Sequence, residues 1–505
     1  MTTSPADTPA HPTQLATGEV TLFGDVVAGI TNVAPSTSIA LSLGAVMTVS
    51  GLASPSVVVI VGLAMLCIAV SYYYLNQWRP SAAAQAMWIA RTIRPVAGLA
   101  VGFAVILMTL VANIGNITLF GPYLLGIIYP SHQGSAILQW LCTAAATGLV
   151  LYIAIEGVRR AIRFQTIVVW IEYAIIVAFV VGLFVAEYTG HPGTTHPHLS
   201  WLLPSTAPSF HALMNGVVIG VFMYGGWEAS VYLAEEGTDT RRNPGRAGII
   251  SVVFCIIWFS VLTMAIEAIA PAKILVANAG NIIAYSAGVI WPKPWSSIVS
   301  LAVLSSVIAV TQSQLQNFSR MNFGLSREGL LPRWLGRLSR RHRTPAPALI
   351  VAAVIPVAAL IIYLANTSAG TTIGLISGTA GLLYIVIYVA GAIACMWYYR
   401  RTLLSSARQL IFAGVLPFIG AAALVYAAVV AFPTTPHGTL YPFIVMFVAI
   451  FPAAWLVKYF TRAPFFDLPV LTAGEPAPAE PVDRVQAPAL ADPAVAGGTA
   501  EVPDA

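Results

Sequence analysis

Between two apolar runs, Val20–Ile30 and Ile39–Val49, the chain reads Thr31-Asn32-Val33-Ala34-Pro35-Ser36-Thr37-Ser38. Each run has 11 residues, about 16 Å of helix at 1.5 Å per residue, roughly half of the bilayer's ~30 Å hydrocarbon core. Proline removes a backbone donor, and five Ser, Thr and Asn side chains stand ready to bond to freed backbone groups. Unwound backbone at that depth is tolerated only where protein or a water-filled cavity surrounds it. The stretch predicts a membrane helix broken at mid-span, with its backbone open across residues 31–38.

The rest of the chain supports a membrane setting. Of 505 residues, 58% are apolar and 9% charged, against about 25% charged in soluble domains. Spans fall near residues 20–49, 53–75, 95–129, 135–156, 164–187, 211–233, 247–270, 295–320, 346–364, 371–397, 409–431 and 440–460. This pattern excludes a soluble enzyme, a nucleic-acid binder and a single-anchor receptor. Continuous apolar runs, in place of alternation, exclude a β-barrel. The expected fold is an all-α polytopic membrane protein with 12 transmembrane helices. Cys67, Cys142, Cys255 and Cys395 lie in separate apolar runs, so buried thiols are expected rather than a disulfide framework.

Charge sets the orientation. Arginines follow spans 2, 4, 6, 8 and 10, and of the 24 basic residues only Lys273 and Lys293 lie in the opposite loops. The positive-inside rule makes the basic side cytoplasmic, with both termini cytoplasmic and the basic loops beside anionic membrane lipid. The expected location is the plasma (inner) membrane. Residues 1–19 form a cytoplasmic tail without a basic n-region, so no signal peptide is expected. Residues 461–505, rich in Pro, Ala, Glu and Asp, are expected to be a disordered cytoplasmic tail.

A second break is expected in span 6, at Phe222-Met223-Tyr224-Gly225-Gly226-Trp227-Glu228, where a glycine pair lowers helix propensity beside an acid. Pro35 alone is compatible with an ordinary kink, and Gly225-Gly226 with a close helix crossing. Two breaks five spans apart point instead to inverted repeats and a secondary transporter's binding site. The start of the second half-helix, near Ser36, Thr37 and Ser38, offers N–H groups to an anion such as a carboxylate. Carbonyls near Thr31, Asn32, Phe222 and Met223 suit an ammonium group or a cation. Such a site suits an α-amino acid, and its candidate substrate-binding residues are Thr31, Asn32, Ala34, Pro35, Ser36, Thr37, Phe222, Met223, Tyr224, Gly225, Gly226 and Trp227.

Four stretches resemble the amino acid–polyamine–organocation permease superfamily, in its bacterial amino acid permease type. They are Phe222–Glu228 running on to Leu233-Ala234-Glu235-Glu236 and Pro244-Gly245-Arg246-Ala247; Ser319-Arg320-Met321 through Ser326-Arg327-Glu328-Gly329-Leu330-Leu331-Pro332 and Arg343-Thr344-Pro345; Pro80–Arg91; and Gly157-Val158-Arg159 with Arg163-Phe164-Gln165. The resemblance implies a 5+5 inverted repeat over residues 20–397, broken helices 1 and 6 around the substrate, and two extra helices over 398–460. It also implies alternating access driven by an ion gradient or by exchange. Span 1 departs from the pattern, since the short glycine-rich stretch of many members is here Asn32–Thr37.

Acids inside spans are costly, at ~2.5–3.5 kcal/mol near a helix centre. Glu172 and Glu228 are the proton-coupling or gating candidates; a bound cationic substrate and a purely structural carboxyl are the other readings. Glu187 and Glu267, near span ends, are expected to be hydrated. Asn113, Asn116, Ser305 and Ser306 are cavity-lining candidates, with Asn113 and Asn116 sharing a face with Thr109 and the serines able to supply sodium ligands or to bond within their own helix. Gln312 and Gln316 share a face closer to the cytoplasm. Tyr224 and Trp227 fit either a gate over substrate or packing. Glu235 and Glu236, beside arginines, fit an inner gate or a structural ion pair.

No P-loop or HExxH occurs, and His191, His196 and His198 lie in a proline-rich turn, so no catalytic residue, cofactor or metal is expected. No repeated filter or charged ring marks a channel. The expected activity is transport of an amino acid or related amine, with H+ as the coupling ion or by exchange. A polyamine or cationic amine permease and a non-transporting nutrient sensor are the alternatives, and a homo-oligomer is open.

Overall fold

A computed structural model of the chain describes residues 14–279, 282–366 and 369–474. Its helices begin with α1 (Leu22–Val33), α2 (Pro35–Ser50), α3 (Ser54–Trp78), α4 (Ala84–Thr92), α5 (Pro95–Thr118) and α6 (Phe120–Ile128). They continue with α7 (Ala136–Ile155), α8 (Val158–Tyr188), α9 (Phe210–Tyr224), α10 (Ala229–Tyr232), α11 (Asn243–Ala268), α12 (Ala272–Ala277) and α13 (Ile282–Ile290). The last are α14 (Trp295–Arg327), α15 (Ala346–Asn366), α16 (Ala369–Tyr399), α17 (Ala407–Leu410), α18 (Leu416–Ala431) and α19 (His437–Thr461). Among the described residues the only β-type contact is an isolated bridge between Val20 and Gly237.

Ten helical segments of the described residues are long and apolar enough to cross a membrane. The first, Leu22–Trp78, runs 57 residues through α1, α2 and α3, whereas α9 has 15 residues and is too short. Helix ends otherwise fall within a few residues of the apolar runs, with two instructive exceptions. α8 starts at Val158, not near 164, and α14 runs to Arg327, not 320. In both cases arginines extend the helix past the apolar run, because hydropathy marks the edge of the hydrocarbon and not the last hydrogen-bonded turn.

Burial sorts the helices into a centre and a rim. Of the residues in the apolar stretch of α14, 78% are buried, against 11% in α19 and 22% in α7. α2 packs on α9, α3 on α11, α5 on α16, and α14 on α8. The rim exposes large apolar side chains such as Trp170, Phe418, Trp455 and Phe460, the surface a hydrocarbon solvent accommodates.

One end of the bundle gathers the arginines. Arg320 and Glu236, each 1% exposed, form a two-pronged ion pair at 2.8 and 3.1 Å. Arg327 and Glu235 form a second one at 2.9 and 2.8 Å. Leu15 is buried with Ala82, Phe323 and Leu338, and the N–H groups of Glu19 and Val20 donate to the Glu236 carbonyl. The N-terminal segment thus lies across these ion pairs. Residues 462–474, the start of the expected disordered tail, pack against the bundle. Phe465 is buried, and the N–H groups of Leu471 and Ala473 donate to the carbonyls of Arg91 and Tyr398. Apolar Phe465, Phe466, Leu468 and Leu471 interrupt the Pro/Ala-rich composition there and give the segment something to bury. Residues 475–505, the rest of that expected tail, and residues 1–13 of the N-terminal tail lie outside the described residues.

A candidate site where two broken helices cross

The first break is narrower than its sequence suggested. Thr31–Val33 complete α1 and Pro35–Ser38 start α2, leaving Ala34 alone between them in a left-handed conformation, φ 48° and ψ 70°. Proline at the first helical position needs no N–H partner, and its fixed φ suits a helix start. Pro35 therefore marks a new beginning rather than a long unwound stretch. The second break spans Gly225–Glu228, between α9 and the single turn of α10. Gly226 has φ +113°, where side chains are strained.

The two breaks touch. Asn32 Nδ2 donates to the Gly226 carbonyl at 3.0 Å. A Cβ on Gly226 would lie 2.4 Å from Asn32 Nδ2 and 2.6 Å from Asn32 O, and one on Gly225 would lie 2.3 Å from the Tyr384 ring. Both glycines are thus required by close approach. All residues from Thr31 to Gly44 and from Val221 to Ala234 are buried.

The start of α2 is already satisfied from within. The Ser36 N–H donates to Glu172 Oε1 at 3.3 Å, and the Thr37 N–H to Ser306 Oγ at 3.4 Å. The Ser36 and Ser306 hydroxyls lie within reach of the same Glu172 carboxyl. α8 and α14 thereby deliver one carboxylate and one hydroxyl to the helix end that was read from the sequence as open to an anion. Ser305 bonds instead to Ala302 O in its own helix.

Glu228 turns back onto its own break. Its Oε2 accepts the Gly226 N–H at 3.1 Å and the Tyr388 hydroxyl at 2.8 Å. Trp227 stacks on Tyr388 at 5.5 Å and meets Tyr72 edge-on at 5.0 Å. The Tyr224 hydroxyl donates to Val58 O, and its ring packs edge-on against Phe259, so Tyr224 joins α9 to α3 and α11. Phe222 and Met223 are buried, and the Phe222 carbonyl accepts the Gly225 N–H.

Several buried polar atoms have no protein partner. They include Thr31 Oγ1, Asn32 Oδ1, Thr37 Oγ1, Asn113 Oδ1 and the amide of Gln312. Asn116 is buried on α5, and Thr109 bonds within its own helix. Glu187 and Glu267, expected to be hydrated, are 2% and 1% exposed, with the Ser54 hydroxyl beside the Glu267 carboxyl. The segment after α8 folds over these helix ends, with Thr195 N–H on the Ala268 carbonyl, which covers what the apolar runs left at the edge. Asp25 escaped the sequence reading altogether. It is fully buried in α1 with both oxygens unpartnered, and the signal was an acid inside the run Val20–Ile30.

A multi-pass helical membrane protein with two interlocked helix breaks at its centre is the class that this geometry defines. A sequence profile of the amino acid permease family matches residues 20–454, and the chain belongs to that family. It is 27% identical over 236 residues to the Asc-type amino acid transporter 1 of Mus musculus, covering 46% of this chain and 43% of the relative. To the large neutral amino acids transporter small subunit 2 of Oryctolagus cuniculus it is 26% identical over 280 residues, 53% of this chain and 48% of the relative. To the low-affinity putrescine importer PlaP of Escherichia coli (strain K12) it is 25% identical over 310 residues, 59% and 65% of the two chains. The chain thus spans about half the length of the first two relatives and about two thirds of the third. These relatives are transporters, not enzymes.

Proposed function

We propose that this chain is a secondary active transporter that carries an amino acid, or a closely related amine, across the plasma membrane by alternating access. The observation that carries this reading is the hydrogen bond from Asn32 to Gly226, which joins two helix breaks inside a buried core. Broken helices in corresponding positions are where secondary transporters hold substrate. Its architecture is read as twelve spans, with a five-plus-five repeat over 20–397, two further helices over 398–460 and the arginine-rich end cytoplasmic. Substrate would lie beside Thr31, Asn32, Ala34, Pro35, Ser36 and Thr37, facing Phe222, Met223, Tyr224, Gly225, Gly226 and Trp227. Asn113, Asn116, Ser305 and Ser306 are read as lining the cavity. Glu172 and Glu228 are the groups read as coupling transport to protons or gating it, and exchange is the other route to drive it.

A cationic amine is the second reading. It is favoured by the two carboxylates beside the breaks and by the similarity to a putrescine importer. Uptake of the labelled standard amino acids and of labelled putrescine into proteoliposomes of the purified full chain separates the two. Saturable accumulation of amino acids supports the first reading, and of putrescine alone the second. Binding without uptake or exchange of any of them would mark a sensor and overturn the transport reading.

A further inference from the structure

The first turn of α2 has two N–H groups to give. Pro35 has none, and the Ser38 N–H is bonded to the Ala34 carbonyl at 2.8 Å, which leaves those of Ser36 and Thr37. A bound amino acid's carboxylate has two oxygens and needs such a pair of donors at a helix start. Both are taken, one by the Glu172 carboxylate and one by the Ser306 hydroxyl, at the long distances of 3.3 and 3.4 Å.

We infer that Glu172 stands in for the substrate's carboxylate: the incoming amino acid takes the Ser36 and Thr37 N–H groups only as a proton neutralises Glu172. This rests on the amino acid reading above and deepens it. Two carboxylates cannot share one helix end while both are charged. Among the described residues no lysine or arginine bonds to the Glu172 carboxylate, whose partners are Ser36 and Ser306. α8 carries no lysine, and Arg320 and Arg327 of α14 are held by Glu236 and Glu235. A proton on Glu172 removes the repulsion and turns an acceptor into a donor, which suits the Ser306 hydroxyl or the substrate's own carboxylate. The substrate's ammonium finds an unpartnered buried acceptor in Asn32 Oδ1. One proton and one zwitterion enter together, no bond other than O–H is made or broken, and one positive charge crosses per cycle. When the substrate leaves, the α2 N–H groups are free to take back the Glu172 carboxylate, which releases the proton on the far side.

Other ionisable groups stand on the helices packed against α8, and of these only the carboxylates can take up a proton near neutral pH. The groups are Asp25 on α1, Arg246, Cys255 and Glu267 on α11, Tyr285 on α13, Cys142 and Tyr152 on α7, and Arg320 and Arg327 on α14. α8 itself adds Arg159, Arg160, Arg163, Tyr173, Glu187 and Tyr188. Asp25 is the one carboxyl on α1, the helix that leads into the Ser36 break, so Asp25→Asn is the control.

The test is calorimetric titration of the purified full chain with each of the twenty standard amino acids, at several pH values and in buffers of different ionisation heat. For the tightest binder, wild type should take up one proton per substrate, with affinity falling up to tenfold per pH unit on the alkaline side. Glu172→Gln should bind it with no pH slope and no proton uptake, Glu172→Asp should keep both, and Asp25→Asn should leave both unchanged. The amine left when that amino acid loses its carboxyl should bind without proton uptake. The inference is overturned if wild type binds the amino acid without taking up a proton, or if Glu172→Gln retains the uptake. It is equally overturned if the amine binds more tightly than the amino acid and Glu172→Gln abolishes that binding. A folded wild type that binds none of the twenty overturns the amino acid reading and this inference together, whereas binding without proton uptake overturns the inference alone. Should Glu172→Gln not fold, the wild-type proton count and the Glu172→Asp titration still decide it.

Discussion

Replacing Glu236 by glutamine would strip the charge from one side of an ion pair whose partners are each 1% exposed. The Arg320 guanidinium would stay buried with two of its N–H groups facing an amide in place of a carboxylate. Breaking a buried pair on one side costs about 3–5 kcal/mol. If the pair forms only while the arginine-rich end is closed, that cost falls on the closed state alone. At 1.4 kcal/mol per tenfold, 3 kcal/mol lowers its population about a hundredfold relative to a state open at that end. The assay is maleimide labelling of Gln312→Cys, a buried position on α14, in a chain whose four native cysteines are replaced. Reagent added from the arginine-rich side should react up to about a hundred times faster in Glu236→Gln. Pairing Glu236→Gln with Arg320→Met, which removes the stranded charge, should recover part of the lost thermal stability. Unchanged labelling together with a loss of thermal stability would refute the gate and leave a structural staple. Unchanged labelling with unchanged stability would refute the energetic argument as well.

Other outcomes follow from the same geometry. Asp25→Asn replaces a buried carboxyl without partners and should raise the unfolding free energy by about 1–3 kcal/mol, read from thermal unfolding in detergent. Glu235 lies beyond the apolar run; burial pushes its carboxyl up, but the two-pronged bond from Arg327 outweighs this and holds it below its ordinary 4.5. Its contribution to stability is therefore present above pH 4.5 and lost as pH falls through the lowered value, and Glu235→Gln should flatten that acid limb of thermal stability against pH. Gly225→Trp should abolish substrate binding while the chain still elutes as a monodisperse species, because even a Cβ there meets Tyr384.

Much of this structure could be read from residue order, and the limits have physical causes. Helix positions follow from apolar runs because a bilayer demands ~20 residues per crossing. The places of both breaks follow from Pro35 and from Gly225-Gly226, whose backbone constraints are local. The extent of the first break does not. A proline opening a helix and a proline inside an unwound stretch read alike, and nothing marks Ala34 as left-handed. Contacts between distant spans are equally hidden. Glu172 stands 136 residues from Ser36, and no pattern in either span tells that its carboxylate will fill the helix end expected to be empty. Glu187 and Glu267 misled for a related reason: a span's end in sequence says nothing of the loop that folds over it. Asp25 was legible and was missed, as one acid within a run that is otherwise apolar.

The most direct measurement of the central claim is equilibrium binding of the transported amino acid to purified Gly226→Ala beside wild type. A Cβ at this position would meet Asn32 at 2.4–2.6 Å from a backbone φ of +113°, so it separates the two breaks and disturbs little else. A site built at their crossing requires that the folded variant lose substrate binding while wild type binds saturably. Wild-type affinity in folded Gly226→Ala would contradict it and move the substrate away from the breaks.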